Sequence, residues 1–169
     1  MPCREEETSV FWIETDQELA DAVASWENCV GLDTEFIRTD TFYPIPGLYQ
    51  VASADQVFLI DPLTIEDWQP FSTFLMDPKT LIVMHACQED LEMLNHHLKV
   101  QPTSVVDTQF AHAFTGVDYS LSYANLVRRT IGVELHKQET RSNWLQRPLS
   151  EEQLTYAADD VIYLVPMYQ

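Results

Sequence analysis

The chain has 169 residues, 46% of them hydrophobic, enough for one domain with a substantial core. Its formal net charge of −18 argues at first sight against a nucleic-acid partner, because phosphate contacts need Lys and Arg. No apolar run reaches the roughly 20 residues that a membrane-crossing helix needs, and the start "MPCREEETSV" lacks the basic end and apolar centre of a signal peptide.

Behind Thr15, a residue suited to an N-cap, "DQELADAVASW" carries apolar residues at helical spacing, so a first helix is expected there. "CVGLDTEF" reads as a strand, apolar at its start and polar at its end. "LYQVASA" and "QVFLIDP" read as two further strands joined by a tight turn near Asp55. "IEDWQPFSTFLMD" is helical, with Pro70 delaying its start or kinking it. "TLIVMHA" is a continuous β-prone run, the mark of a strand covered on both faces. "QEDLEMLNHHL" is a helix with Leu91, Leu94 and Leu98 on one stripe. "SVVDTQFAHAFT" passes from a short strand into a helix near Asp107, which is placed to cap it. "SLSYANLVRRTIG" is a helix closed by Gly132. "SEEQLTYAADDVIYLVPMYQ" is read as one last helix, opened by Ser150 and Gln153 in capping-box spacing. Strands and helices alternate after a three-stranded meander, which makes the fold α/β with a mixed central sheet flanked by helices. The chain stops at Gln169 straight after a helical pattern with no C-cap glycine, so a piece of a longer protein is expected.

Acids collect where the apolar patterns break. Asp33 and Glu35 are two apart at a strand end and therefore share a face. Asp90 falls in the first turn of the helix after "TLIVMHA", and Tyr156 and Asp160 are four apart on one helix face. Asp159 is rotated by about 100° from Asp160 and should lie outside any shared site. Each feature alone has an ordinary structural explanation: a solvated strand edge, a helix macrodipole, a surface hydrogen bond. Together, the four carboxylates Asp33, Glu35, Asp90 and Asp160 match two Mg²⁺ or Mn²⁺ ions, because hard cations prefer oxygen ligands. Such a pair suits in-line attack on a phosphodiester, with the Tyr156 hydroxyl placed to orient the attacking water. Metal of that charge would also reverse the local field of an acidic site.

Other residues receive structural readings. Cys3, Cys29 and Cys87 form neither a paired framework nor a CxxC motif, which points to a reduced, cytoplasmic setting. His85 and Cys87 are read as a packed strand end rather than as thiol chemistry. His96 and His97 close a helix, where cations favour the dipole. Gln50 is assigned a hydrogen bond to the neighbouring strand end. Arg128, Arg129, Lys137, Arg141 and Arg147 crowd into one segment, where they form either a local basic strip or a solvated surface.

With these residues in view, the chain resembles the exonuclease domain of the ribonuclease D family, in the DEDD superfamily of 3′-5′ exonucleases. "LDTEF" resembles the first motif, "HACQEDLEML" the second, and "YAADD" the third, of the tyrosine subtype. Between them, "RTDTFYPIPGLYQVA", "FLIDPL", "VVDTQFAHAF" and "TRSNWLQRPL" are also similar. The resemblance implies a ribonuclease-H-like fold and metal-dependent release of 5′-mononucleotides from RNA 3′ ends, with tRNA precursors as substrates. It makes Asp33, Glu35, Asp90 and Asp160 the metal ligands and Tyr156 the water-positioning residue, and sets Thr34 and Phe36 beside the terminal nucleotide. It also implies helical nucleic-acid-binding domains that this chain lacks. A DNA 3′-5′ exonuclease and a catalytically silent RNA-binding domain are the alternatives; intact acids at all four positions argue against the silent one.

Overall fold

The structure, a computed structural model, describes residues 8–38, 42–116, 118–135 and 142–169. Its centre is a six-stranded mixed sheet in the order β1-β4-β3-β2-β5-β6. The expected meander is present: β2 (Cys29–Ile37), β3 (Ile45–Ser53) and β4 (Gln56–Ile60) are antiparallel neighbours. β5 (Leu81–Met84) runs parallel to β2, and β6 (Val105–Asp107) parallel to β5. One strand was not anticipated. β1 (Ser9–Ile13) pairs in parallel with β4 at the sheet edge, and its exposed Val10 and Phe11 blur the alternation that would mark it.

The helices begin and end where local chemistry says they should. α1 (Asp16–Ser25) has Thr15 as N-cap, completed into a capping box by Glu18. α2 (Gln69–Met76) starts late, with Pro70 in its first turn, where a missing N–H breaks no bond. α3 (Gln88–His97) turns Leu94 fully into the core, with Leu91 and Leu98 packed beside it. Asp107 caps α4 (Thr108–Ala113), and its carboxylate also accepts from the N–H groups of Ala86 and Cys87. α5 (Tyr123–Thr130) is followed by Gly132 at φ +82°. The single helix expected from residue 150 onward is instead two, α6 (Glu151–Ile162) and α7 (Leu164–Tyr168). Pro166 explains the break, because its ring and missing N–H are incompatible with the Ile162 carbonyl one turn earlier.

The sheet separates two apolar layers. On one face α1, α2 and α3 cover Val30, Leu32, Tyr49, Val51, Ile60, Ile82 and Met84. On the other, α6, α7 and Trp144 cover Leu48, Ala52, Leu59 and Val83. β2 therefore sends Leu32 and Thr34 toward α3, and Gly31, Asp33 and Glu35 toward α6.

Among the described residues of the basic segment, Arg147 does not join a surface strip. The Arg147 guanidinium turns inward to Asp61, with Nη2 to Oδ1 at 2.6 Å and Nε to Oδ2 at 2.7 Å, and also donates to the carbonyls of Gly47, Trp144 and Gln146. Arg129 pairs with Asp118 at 2.9 Å, and Lys137 and Arg141 lie outside the described residues.

Candidate metal centre

Two glycines let the elements of the site close on one another. A Cβ on Gly31 would stand 2.7 Å from the Val161 carbonyl oxygen and 3.0 Å from Leu164 Cβ. Its absence lets the end of α6 and the start of α7 lie directly on β2, two residues before Asp33. Past Glu35 the pairing shifts: Glu35 faces Leu48 but Phe36 faces Pro46, leaving Gly47 as the extra residue of a bulge. A Cβ on Gly47 would meet Trp144 Cβ at 2.6 Å, so the segment carrying Trp144 seats against the bulge.

Within this frame, Asp33, Glu35 and Asp160 each place a carboxylate oxygen within 4.8 Å of the others. Asp90 arrives from the start of α3 and is 7% exposed; its carboxylate accepts from the Thr34 hydroxyl. It stands outside that triad, yet its charge acts on all three of them. The Tyr156 hydroxyl, one helical turn before Asp160, lies beside the Asp160 carboxylate and lowers its pKa as a donor would. Asp159 lines a cleft of about 540 Å³ between β1 and α6, and none of the four acids does. The 100° offset thus separates the neighbouring aspartates as expected.

Like charges this close disturb one another. Burial pushes the Asp33 carboxyl well up, and the charges of Asp90, Asp160 and Glu35 add to it. Glu35 is pushed up to about 9 by burial and then by Asp160 and Asp90. Burial raises Asp160 to about 7 against the opposing hydrogen bond from Tyr156. It raises Asp90 to about 6 against that from Thr34. Tyr156 itself is raised, first by burial and then by Asp160 and Glu35, so it stays a neutral hydroxyl donor. An all-oxygen donor set with uncompensated negative charge fits a hard divalent cation and suits neither a soft metal nor a redox centre.

Residues 10–169 match the family model described as 3′-5′ exonuclease. The chain belongs to the 3′-5′ exonuclease family. Family members use divalent metal ions, and an acidic cluster that could hold one is present in this chain. Ribonuclease D of Pseudomonas paraeruginosa is 46% identical over 161 residues, which are 94% of this chain and 43% of that protein. Escherichia coli RNase D, whose structure is described as that of an exoribonuclease involved in structured RNA processing, superposes with a TM-score of 0.87 at 42% identity, covering 93% of this chain and 42% of that one. Trypanosoma brucei RNase D, solved in complex with RNA U12, superposes with a TM-score of 0.83 at 26% identity, covering 94% of this chain and 61% of that one. The resemblance to ribonuclease D and the ribonuclease-H-like architecture read from the motifs are both borne out. The chain spans about two fifths of the length of the curated relatives it matches.

In this exonuclease domain the residues singled out from sequence divide clearly. Asp33, Glu35, Asp160 and Tyr156 converge, with Asp90 beside them. Thr34 is buried and committed to Asp90, and Phe36 packs half-buried against the α3 side of the core. Burial lifts the Cys87 thiol to about 12, far from a thiolate nucleophile. His85 Nδ1 lies 2.8 Å from the Thr108 hydroxyl and Nε2 3.1 Å from the Leu121 carbonyl, so it ties loop to strand. His97 Nδ1 meets the Tyr49 hydroxyl at 2.7 Å, while His96 stacks on Tyr43 at 3.8 Å. Gln50 corrects an expectation: neither end of its amide finds a partner, so it makes no bond to the strand end. Sequence reading passed over Gly31, Gly47 and Trp144. A lone glycine inside an apolar strand is the available signal, since it marks a bulge or a close backbone approach.

Proposed function

We propose that this chain is the exonuclease domain of a metal-dependent 3′-5′ exoribonuclease, releasing 5′-mononucleotides from RNA 3′ ends, tRNA precursors among its substrates. The observation that carries this is the convergence of Asp33, Glu35 and Asp160 within 4.8 Å, with the Tyr156 hydroxyl beside Asp160. Asp33, Glu35, Asp90 and Asp160 would together hold two divalent ions, Mg²⁺ or Mn²⁺. Ions held there would supply activation of a water and stabilisation of the leaving oxygen of a phosphodiester. Thr34 fixes the Asp90 carboxylate, and through it the angle at which Asp90 faces the site. The Tyr156 hydroxyl orients the attacking water, and Asp160 holds that hydroxyl in place. In this reading the backbone at Thr34 and the half-buried Phe36, on the strand that carries the first two acids, border the terminal nucleotide. A cytoplasmic setting is part of the same proposal, as are helical RNA-binding domains in the whole protein; the relatives' greater length supports the latter.

The test is a 5′-labelled RNA with a free 3′ hydroxyl, incubated with Mn²⁺, with chelator, and with Asp33→Asn protein. A ladder shortening from the 3′ end only with metal and wild-type protein is the expected result. Equal shortening by Asp33→Asn would end the assignment. A matched DNA strand separates ribose from deoxyribose preference.

A further inference from the structure

Among the described residues near the acids, Gln50 is the side chain that packing does not account for. It stands directly across from Asp33 in the β2–β3 pair, between Leu48 and Ala52 on the face covered by α6. It is 0% exposed, and neither its Nε2 nor its Oε1 meets a hydrogen-bond partner. Position 50 thus continues an apolar row, where an aliphatic side chain would bury at no polar cost. A buried amide with both ends unpaired is instead a standing penalty. Trp26, Trp144 and His112 also leave a ring nitrogen unpaired, but each has a large ring to bury, whereas the Gln50 amide has only its hydrogen-bonding capacity to offer.

Its position identifies a partner. Cross-strand neighbours on one face have Cβ atoms about 4.5–5.5 Å apart, so the amide lies within reach of the Asp33 carboxylate and of anything bound to it. One group carrying both a donor and an acceptor matches a carboxylate beside a cation-bound water. We propose that Gln50 is a positioning residue of the metal centre. With a divalent ion held by Asp33, Nε2–H would donate to the Asp33 carboxylate and Oε1 would accept from water at the ion. This rests on the metal reading of the acidic cluster. It makes the cost of burying the amide a property of the metal-free protein alone.

The test measures Mn²⁺ binding by calorimetry or by electron paramagnetic resonance, together with melting temperature in chelator. The proteins are wild type, Gln50→Leu, Gln50→Met and Asp33→Asn. Met matches the length and flexibility of Gln, so it guards against a packing failure of the Leu variant. Both Gln50 variants should melt in chelator at or above the wild-type temperature and bind Mn²⁺ roughly 10–100-fold more weakly, the range for lost outer-sphere partners. Wild-type Mn²⁺ affinity in both variants, with binding lost in Asp33→Asn, overturns the role of Gln50 and leaves the metal site standing. Lower melting temperatures with unchanged Mn²⁺ affinity also overturn it, because Gln50 would then serve packing alone. Undiminished binding by Asp33→Asn overturns the metal reading itself, and this inference with it.

Discussion

Asp33 and Glu35 are held side by side at a cost, and that cost has a direction in pH. Their carboxyls are raised by burial and by neighbouring charge, Glu35 to about 9. Between the ordinary carboxylate range and about 9, the native state keeps protons that the unfolded chain has already released. Stability without metal therefore falls as pH rises through that window. In chelator, the melting temperature should drop steadily from about pH 5 to about pH 9; a flat profile would show that these acids are not electrostatically strained. Mn²⁺ displaces the same protons, so the rise in melting temperature it produces should grow with pH. Asp33→Asn should fold in chelator at least as stably as wild type and lose activity. Tyr156→Phe removes one hydroxyl but no metal ligand, so it should still bind Mn²⁺, within the roughly 10–100-fold weakening of a lost outer partner, and lose rate by about 100-fold at saturating metal. Full activity in that variant would take the tyrosine out of the mechanism.

At the scale of elements, the site depends on how closely α6 lies on β2. Gly31→Ala would drive a methyl group to 2.7 Å from the Val161 carbonyl, which belongs to helix backbone and cannot rotate away. Its expected cost is about 1–3 kcal/mol in denaturant melts, as for overpacking in a well-packed layer. Because the shift moves Asp160 away from Asp33, Mn²⁺ affinity should fall as well. Stability lost with Mn²⁺ affinity intact would mean that α6 reaches its place without that close approach. Element boundaries were legible wherever a residue enforces them locally. Thr15, Pro70, Asp107 and Ser150 each act within one turn of their own position. The break before α7 was readable too, from Pro166, but the long apolar pattern around it masked the stop. β1 was not readable, because a short edge strand exists only through its partner, 47 residues away in β4.

Across the whole molecule, Arg147 ties the segment carrying Trp144 to the sheet. Arg147 spends its guanidinium on Asp61, which is nearly fully buried, and on three carbonyls. Asp61→Asn should cost roughly 3 kcal/mol, as for breaking a buried pair, and loosen Trp144 from its place beside Tyr156. A change in melting temperature too small to measure would mean that water serves Arg147 equally well. By itself, the sequence determined the α/β class, the meander, most helix starts and the identity of the clustered acids. Those depend on spacing of two, three or four residues along one chain, and on motifs whose order survives without coordinates. Only the tertiary structure decided that Arg147 faces inward rather than joining a basic strip, and that Thr34 anchors Asp90. It alone showed that Gln50 lies buried and unpaired opposite Asp33. Each of these joins residues on different strands or helices, and which side chains meet there is set by sheet order, register and the space left by two glycines.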